Sequence, residues 1–141
     1  MNFFIDLLFG HLIGDYILQN KWMAMNKDRS TFKCLIHCLF YTASVIFIAR
    51  IYNWQFIVLV FASHFIIDRW SIADKWLELI HGRSIKDFLK NGWQNIPFNS
   101  FDIKSYHALR AGFTALVYAV VDNTFHLIIM FYGWQILQRM V

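Results

Sequence analysis

The sequence predicts an all-α, polytopic membrane protein with four transmembrane helices and one or two amphipathic helices lying on the cytoplasmic side. Three observations lead there. Of 141 residues, 58% are hydrophobic and only 16% charged, against about 25% charged in an ordinary soluble domain. The charges cluster between long apolar runs, as loops separate spans. Finally, 19% of the chain is aromatic, far from the composition of a disordered segment. An ordinary soluble enzyme, a collagen-like chain and a disulfide scaffold are all excluded. Cys34 and Cys38 lie one helical turn apart, a spacing unsuited to a fold-closing disulfide.

The first apolar run opens at Phe3 and fades at Gln19-Asn20-Lys21, with Trp22 extending it, so the first span is placed over 3–22. It has neither a basic leader nor a small-residue cleavage site, and reads as a retained helix. A basic loop follows, carrying Lys21, Lys27, Arg29 and Lys33 against a single Asp28. The second span is 34–52, interrupted by His37 and Arg50; after the Asn53-Trp54 turn the third covers 54–70 and stops at Asp68-Arg69. Residues 71–119 form an interfacial or cytoplasmic insertion within one integral-membrane domain. There Lys75, Glu78, Lys86, Asp87 and Lys90 alternate with Trp76, Leu77, Ile80, Phe88 and Leu89, the pattern of helices lying in the interface. Asn91-Gly92, Pro97 and Asn99-Ser100 mark an irregular stretch.

The last apolar run, Tyr106 to Leu137, is too long for one crossing, and its usable span is 120–138. Most basic residues fall in the first loop and the insertion, which places both in the cytoplasm and the Asn53 turn outside. The net charge of +4 then serves topology and headgroup attraction. No nucleic acid is expected as a partner, because no basic stripe on a soluble fold is available.

The polar residues inside the spans form a pattern. The first span carries His11-x3-Asp15, the third His64-x3-Asp68, and the last Asp122-x3-His126 in reverse order, while His37 stands alone in the second. Spacing four puts each pair on one helix face. One such pair is commonly helix glue, but three desolvated carboxylates are costly without a cation among them. Imidazole and carboxylate together suit zinc, manganese or iron. His11, Asp15, His37, His64, Asp68, Asp122 and His126 are therefore the expected ligands of one or two divalent transition-metal ions, with zinc favoured.

Depth supports the grouping. At about 1.5 Å per residue, Asp15 lies roughly 9 Å from Lys21 and His37 roughly 6 Å from Lys33, both near the cytoplasmic surface. Asp122, about 18 Å beyond Arg110, joins them if Tyr106–Val121 leaves or skirts the membrane. Gly10-x3-Gly14 permits a close helix approach, either locally or in a homodimer. Arg69, Lys75 and Arg110 border the site and would hold a phosphate or anchor helices at headgroups. His81 and His107 lie in the polar insertion and are expected to be solvated. Phosphate-binding glycine loops and nucleophile elbows are absent from the sequence.

His11-x3-Asp15-Tyr16-Ile17-Leu18-Gln19, then His37, then Ser63-His64-Phe65-Ile66-Ile67-Asp68, then Asp122-x3-His126 together resemble a family of small bacterial and phage membrane proteins catalogued as domain of unknown function 3307. The resemblance implies a small helical protein of the bacterial inner membrane. The long stretch Ile72 to Val121 is where the chain is expected to depart from it. The paired motifs are also similar in type to the zinc sites of phospholipase C and nuclease-type phosphoesterases, and to membrane-bound metal-dependent hydrolases.

The leading functional expectation is a membrane-embedded metal-dependent hydrolase acting on a phosphoester, such as a lipid phosphate or phospholipid headgroup, with membrane lipid as partner and Asp15, His64 and Asp68 as the catalytic residues. A metal carrier or proton-coupled transporter is the first alternative, since Asp/His chains also relay ions. A structural or partner-binding protein locked by His/Asp pairs is the second.

Overall fold

The computed structural model describes residues 2–24, 26–82 and 101–140, with backbone alone over 101–108. Among these residues every regular element is helical: α1 (Phe3–Leu12), a π-helical turn (Ile13–Ile17), α2 (Lys21–Ala24), α3 (Thr31–Ala49), α4 (Trp54–Arg69), α5 (Ile72–His81) and a final helix, α6 (Phe101–Arg139). The all-α expectation is met. The expected amphipathic segment around Ile85–Leu89, the irregular stretch to Ser100 and the side chain of His107 lie outside the described residues.

Local chemistry sets the helix boundaries. Asn2, Ser30 and Asn53 cap α1, α3 and α4, each side-chain oxygen accepting from a backbone N–H in the first turn. α3 ends at Arg50 in the left-handed region (φ 56°), and the chain turns into α5 through Ser71 (φ 50°). Non-glycine residues adopt such angles only where the surroundings enforce them.

Among the described residues two helices are long and apolar enough to cross a membrane, Thr31–Ala49 and Leu109–Arg139; a third crossing arises if α4 and α5, bent by 54°, act as one span. The expectation was four. The difference has a simple cause: α1 and its π turn together run from Phe3 to Ile17, and α4 has 16 residues, both shorter than the roughly 20 of a typical crossing. α6 is uninterrupted over 39 residues, about 58 Å at 1.5 Å per residue. Its membrane-length apolar stretch takes in Leu109–Arg139, more than the expected span of 120–138.

The chain divides into two compact units: Met1–Ser71 with Asn123–Val141, and Ile72–Asp122. In the second unit α5 is strongly amphipathic, burying Ala73, Asp74 and Leu77, while Lys75, Trp76, Leu79, Ile80 and His81 are exposed. Arg110 is exposed and Thr114 is buried.

In the first unit, α1 packs against α3 at backbone distance. A Cβ on Gly10 would lie 2.9 Å from the Val45 Cα, and one on Gly14 would lie 2.8 Å from the Tyr41 ring and 3.1 Å from its Cα. Ser44 Oγ donates to the Gly10 carbonyl at 2.9 Å. The small-residue face is thus filled by this chain's own α3. Toward the Asn53 turn, Leu7, Val45, Ile46, Ile51, Phe56, Val60 and Met130 form an apolar core. Trp134 meets Phe56 edge-on at 5.3 Å and lies 6.1 Å from Phe3. Close packing of such side chains holds the helices together at that end. The opposite end of the same helices is polar.

Candidate metal centre

Alternating chain direction gathers the polar residues at one end of the first unit. Asp15 sits in the π turn that ends the first segment, His37 in the second turn of α3, and His64 and Asp68 in the last turns of α4; His126 comes from α6. Asp15, His37, His64, Asp68 and His126 are all buried. The π turn has its own effect here, because a wider turn displaces Asp15 from the plain i, i+4 position relative to His11, and such turns are common at functional sites. His11 Nδ1 lies 3.6 Å from Asp15 Oδ2, whereas Asp15 Oδ1 approaches His37 Nε2 at 3.1 Å and His64 Nε2 at 3.4 Å.

Three atoms from α3 and α4 form a tight triangle. His37 Nε2 and His64 Nε2 are 2.9 Å apart, and Asp68 Oδ2 lies 3.1 Å from the first and 3.2 Å from the second. Asp15 Oδ1 closes a second triangle on the same histidine edge. The edges of a zinc tetrahedron with bonds of 2.0–2.1 Å measure about 3.3–3.4 Å, so the triangle is slightly tighter than the face such an ion would occupy. Gln19 Nε2 also lies within hydrogen-bonding distance of His37 Nε2, at 3.2 Å.

Hydrogen bonding does not account for this arrangement. Asp15 Oδ1, both oxygens of Asp68 and His37 Nδ1 have no hydrogen bond of ordinary geometry among the described residues. Carboxylate oxygens of Asp15 and Asp68 thus crowd the two imidazole Nε2 atoms, with Lys27 Nζ 2.9 Å from Asp68 Oδ2, an arrangement suited to a cation. Two ligand groups overlap on this spot, His37-His64-Asp68 and Asp15-His64-His126. His64 belongs to both. Its Nδ1 is 3.2 Å from His126 Nδ1, and its ring is stacked on Tyr41 at 3.5 Å.

Both nitrogens of His11 are engaged, Nδ1 with the Tyr41 hydroxyl and Nε2 with Asn123 Oδ1, each at 2.8 Å. Asn123 Nδ2 in turn donates to the exposed Tyr16 hydroxyl at 3.0 Å. Asp122 precedes His126 by one turn of α6 but belongs to the second unit, as do Lys75 and Arg110. Arg69 tethers a loop, donating from Nε to Thr31 Oγ1 at 3.3 Å and from its guanidinium to the Asp28 carbonyl.

Sequence reasoning missed four participants: Gln19, Lys27, Tyr41 and Asn123. Lys27 Nζ lies 2.9 Å from Asp68 Oδ2. Tyr41 had a signal, standing one turn after His37 on the same face. Lys27 had none beyond its place in a basic loop.

The whole chain from residue 3 to residue 141 matches one family model, described as protein of unknown function DUF3307. The chain belongs to that family. The matched range includes 72–121, where a departure from the family was expected. No curated protein and no solved structure matches the chain.

Proposed function

We propose that this is a membrane-embedded metal-dependent hydrolase of phosphoesters, its centre opening toward the end that carries the Lys27 loop. The observation that supports it is the triangle of His37 Nε2, His64 Nε2 and Asp68 Oδ2, with edges of 2.9–3.2 Å. Two imidazoles and one carboxylate are a donor set of catalytic zinc sites, in which a fourth position stays open. A divalent ion held there, zinc before manganese or iron, supplies Lewis acidity and an acidified water. Asp15 stands ready beside the same two histidines to take a proton or to join His64 and His126 around a second ion. His11, held by Tyr41 and Asn123, stands outside the ligand set.

A carrier is the weaker reading, because the core toward the Asn53 turn is apolar from Val45 and Val60 outward and offers an ion no polar path among the described residues. A phosphoester at the membrane surface, such as a lipid phosphate, suits a centre at the end of a bundle. In this reading the two shorter helices complete a four-span bundle by packing on α3, with the Lys27 loop in the cytoplasm of a bacterial cell.

Elemental analysis after purification in mild detergent without chelator should find one or two zinc ions per chain, most of which His64→Ala and Asp68→Ala lose. Hydrolysis of a lipid-phosphate panel should stop with chelator and return with zinc. Asp15→Asn should lower turnover by roughly a hundredfold, the scale of losing one strong electrostatic contribution, in a protein that remains folded. Unchanged turnover in both Asp15→Asn and His64→Ala would exclude hydrolysis at this site.

A further inference from the structure

Lys27 stands in the turn between α2 and α3, remote in sequence from every His/Asp pair. Its side chain is 16% exposed, and its Nζ lies 2.9 Å from Asp68 Oδ2, whose side chain is fully buried. That oxygen is the one that also faces His37 Nε2 at 3.1 Å and His64 Nε2 at 3.2 Å. The approach is built into the loop. The Asn26 carbonyl accepts from Arg29 N at 3.0 Å and from Ser30 N at 2.9 Å. Arg69, the residue after Asp68, grips the same loop at the Asp28 carbonyl and Thr31. The end of α4 therefore carries both the carboxylate and the clamp that brings the lysine to it.

We infer that Lys27 is the resident counter-ion of the centre: its ammonium neutralises Asp68 while the triangle holds no metal, and yields that oxygen when a divalent cation enters. The inference rests on the metal reading above. A buried carboxylate without a partner is strongly unfavourable, so the empty centre needs a positive charge. A dication a few ångströms from an ammonium is repelled by it, so both do not share the oxygen at full strength. The four-carbon stem lets the ammonium swing toward solvent while Arg69 holds the backbone in place, and its partial exposure shows that solvent is within reach.

The test compares zinc affinity of the full chain in detergent, by competition with a chromophoric chelator, for wild type, Lys27→Gln and Lys33→Gln. Lys33 removes the same charge, but it sits 4.9 Å above the Trp22 ring. Lys27→Gln should bind zinc at least tenfold more tightly, should melt at a lower temperature than wild type in chelator, and should match it once zinc-loaded. Lys33→Gln should match wild type throughout. Should the metal-free Lys27→Gln protein fail to fold, the zinc-loaded form can be challenged with excess chelator, and its zinc should leave at least tenfold more slowly. Zinc affinity in Lys27→Gln equal to or below that of wild type overturns the proposal and makes Lys27 a strut that positions Asp68. If wild type and variant both take up no zinc, the metal reading fails; the melting comparison in chelator then still decides the counter-ion, which is overturned if Lys27→Gln melts with Lys33→Gln.

Discussion

His37 is the one histidine of the four in apolar runs that has no aspartate four residues away, and the fold supplies it with two, Asp15 at 3.1 Å and Asp68 at 3.1 Å. His11 has its aspartate in sequence, yet its ring nitrogens are taken by Tyr41 and Asn123. The two histidines therefore respond differently to removal. His37→Ala should abolish zinc retention. His11→Ala should keep the zinc and instead lower stability by about 1–3 kcal/mol, the range for leaving buried hydrogen-bonding groups unpaired, measured as a denaturation midpoint. Residue identity and helical spacing made His64, Asp68 and His126 legible from sequence. They did not separate His11 from His37, because which histidine meets which carboxylate is decided by contacts between helices remote in sequence. Lys27 escaped for the same reason, its role depending on a clamp by Arg69 from 42 residues further along the chain.

At the scale of elements, the position of the polar end depends on how closely α1 approaches α3. Gly10 sets that approach, since an added Cβ would meet the backbone of Val45 at 2.9 Å and a backbone atom cannot yield as a side-chain tip can. Gly10→Ala should cost about 1–3 kcal/mol, as overpacking does, and should weaken zinc binding by moving Asp15 away from His37. Gly112→Ala, with nothing within 4 Å of the added atom, should leave both unchanged or gain slightly from helix propensity. A thermal-shift series with zinc titration reads both effects. Gly10-x3-Gly14 was visible in the sequence as a close-approach motif, but its partner was not. The π turn at Ile13–Ile17 was invisible, because a His-x3-Asp spacing reads as ordinary α-helix until the backbone is seen to widen. The caps at Asn2, Ser30 and Asn53 follow directly from their residue types.

For the whole molecule, the helical class and two helices long and apolar enough to cross a membrane follow from apolar runs and were legible; four crossings did not follow from them alone, since α1 and α4 are shorter than a typical span. α3 gives a firm marker. Its 19 residues span about 28 Å, close to the hydrocarbon thickness, and separate the Lys27 loop from the Asn53 turn. Single cysteines placed at positions 27 and 53, with Cys34 and Cys38 replaced, should be labelled by a membrane-impermeant reagent from opposite faces; labelling from one face would show that α3 does not cross. The core of Leu7, Val45, Phe56, Val60 and Met130 has an electrical consequence. Each elementary charge moved through a full 100 mV is worth about 2.3 kcal/mol, but in a bundle that spans the membrane as proposed that potential would fall mainly across the dry half. Under the proposed function, an ion arriving from the Lys27 side would traverse little of the field, so the occupancy of the centre would be governed by the ion's concentration in the adjoining bath and hardly at all by how strongly the membrane is polarised.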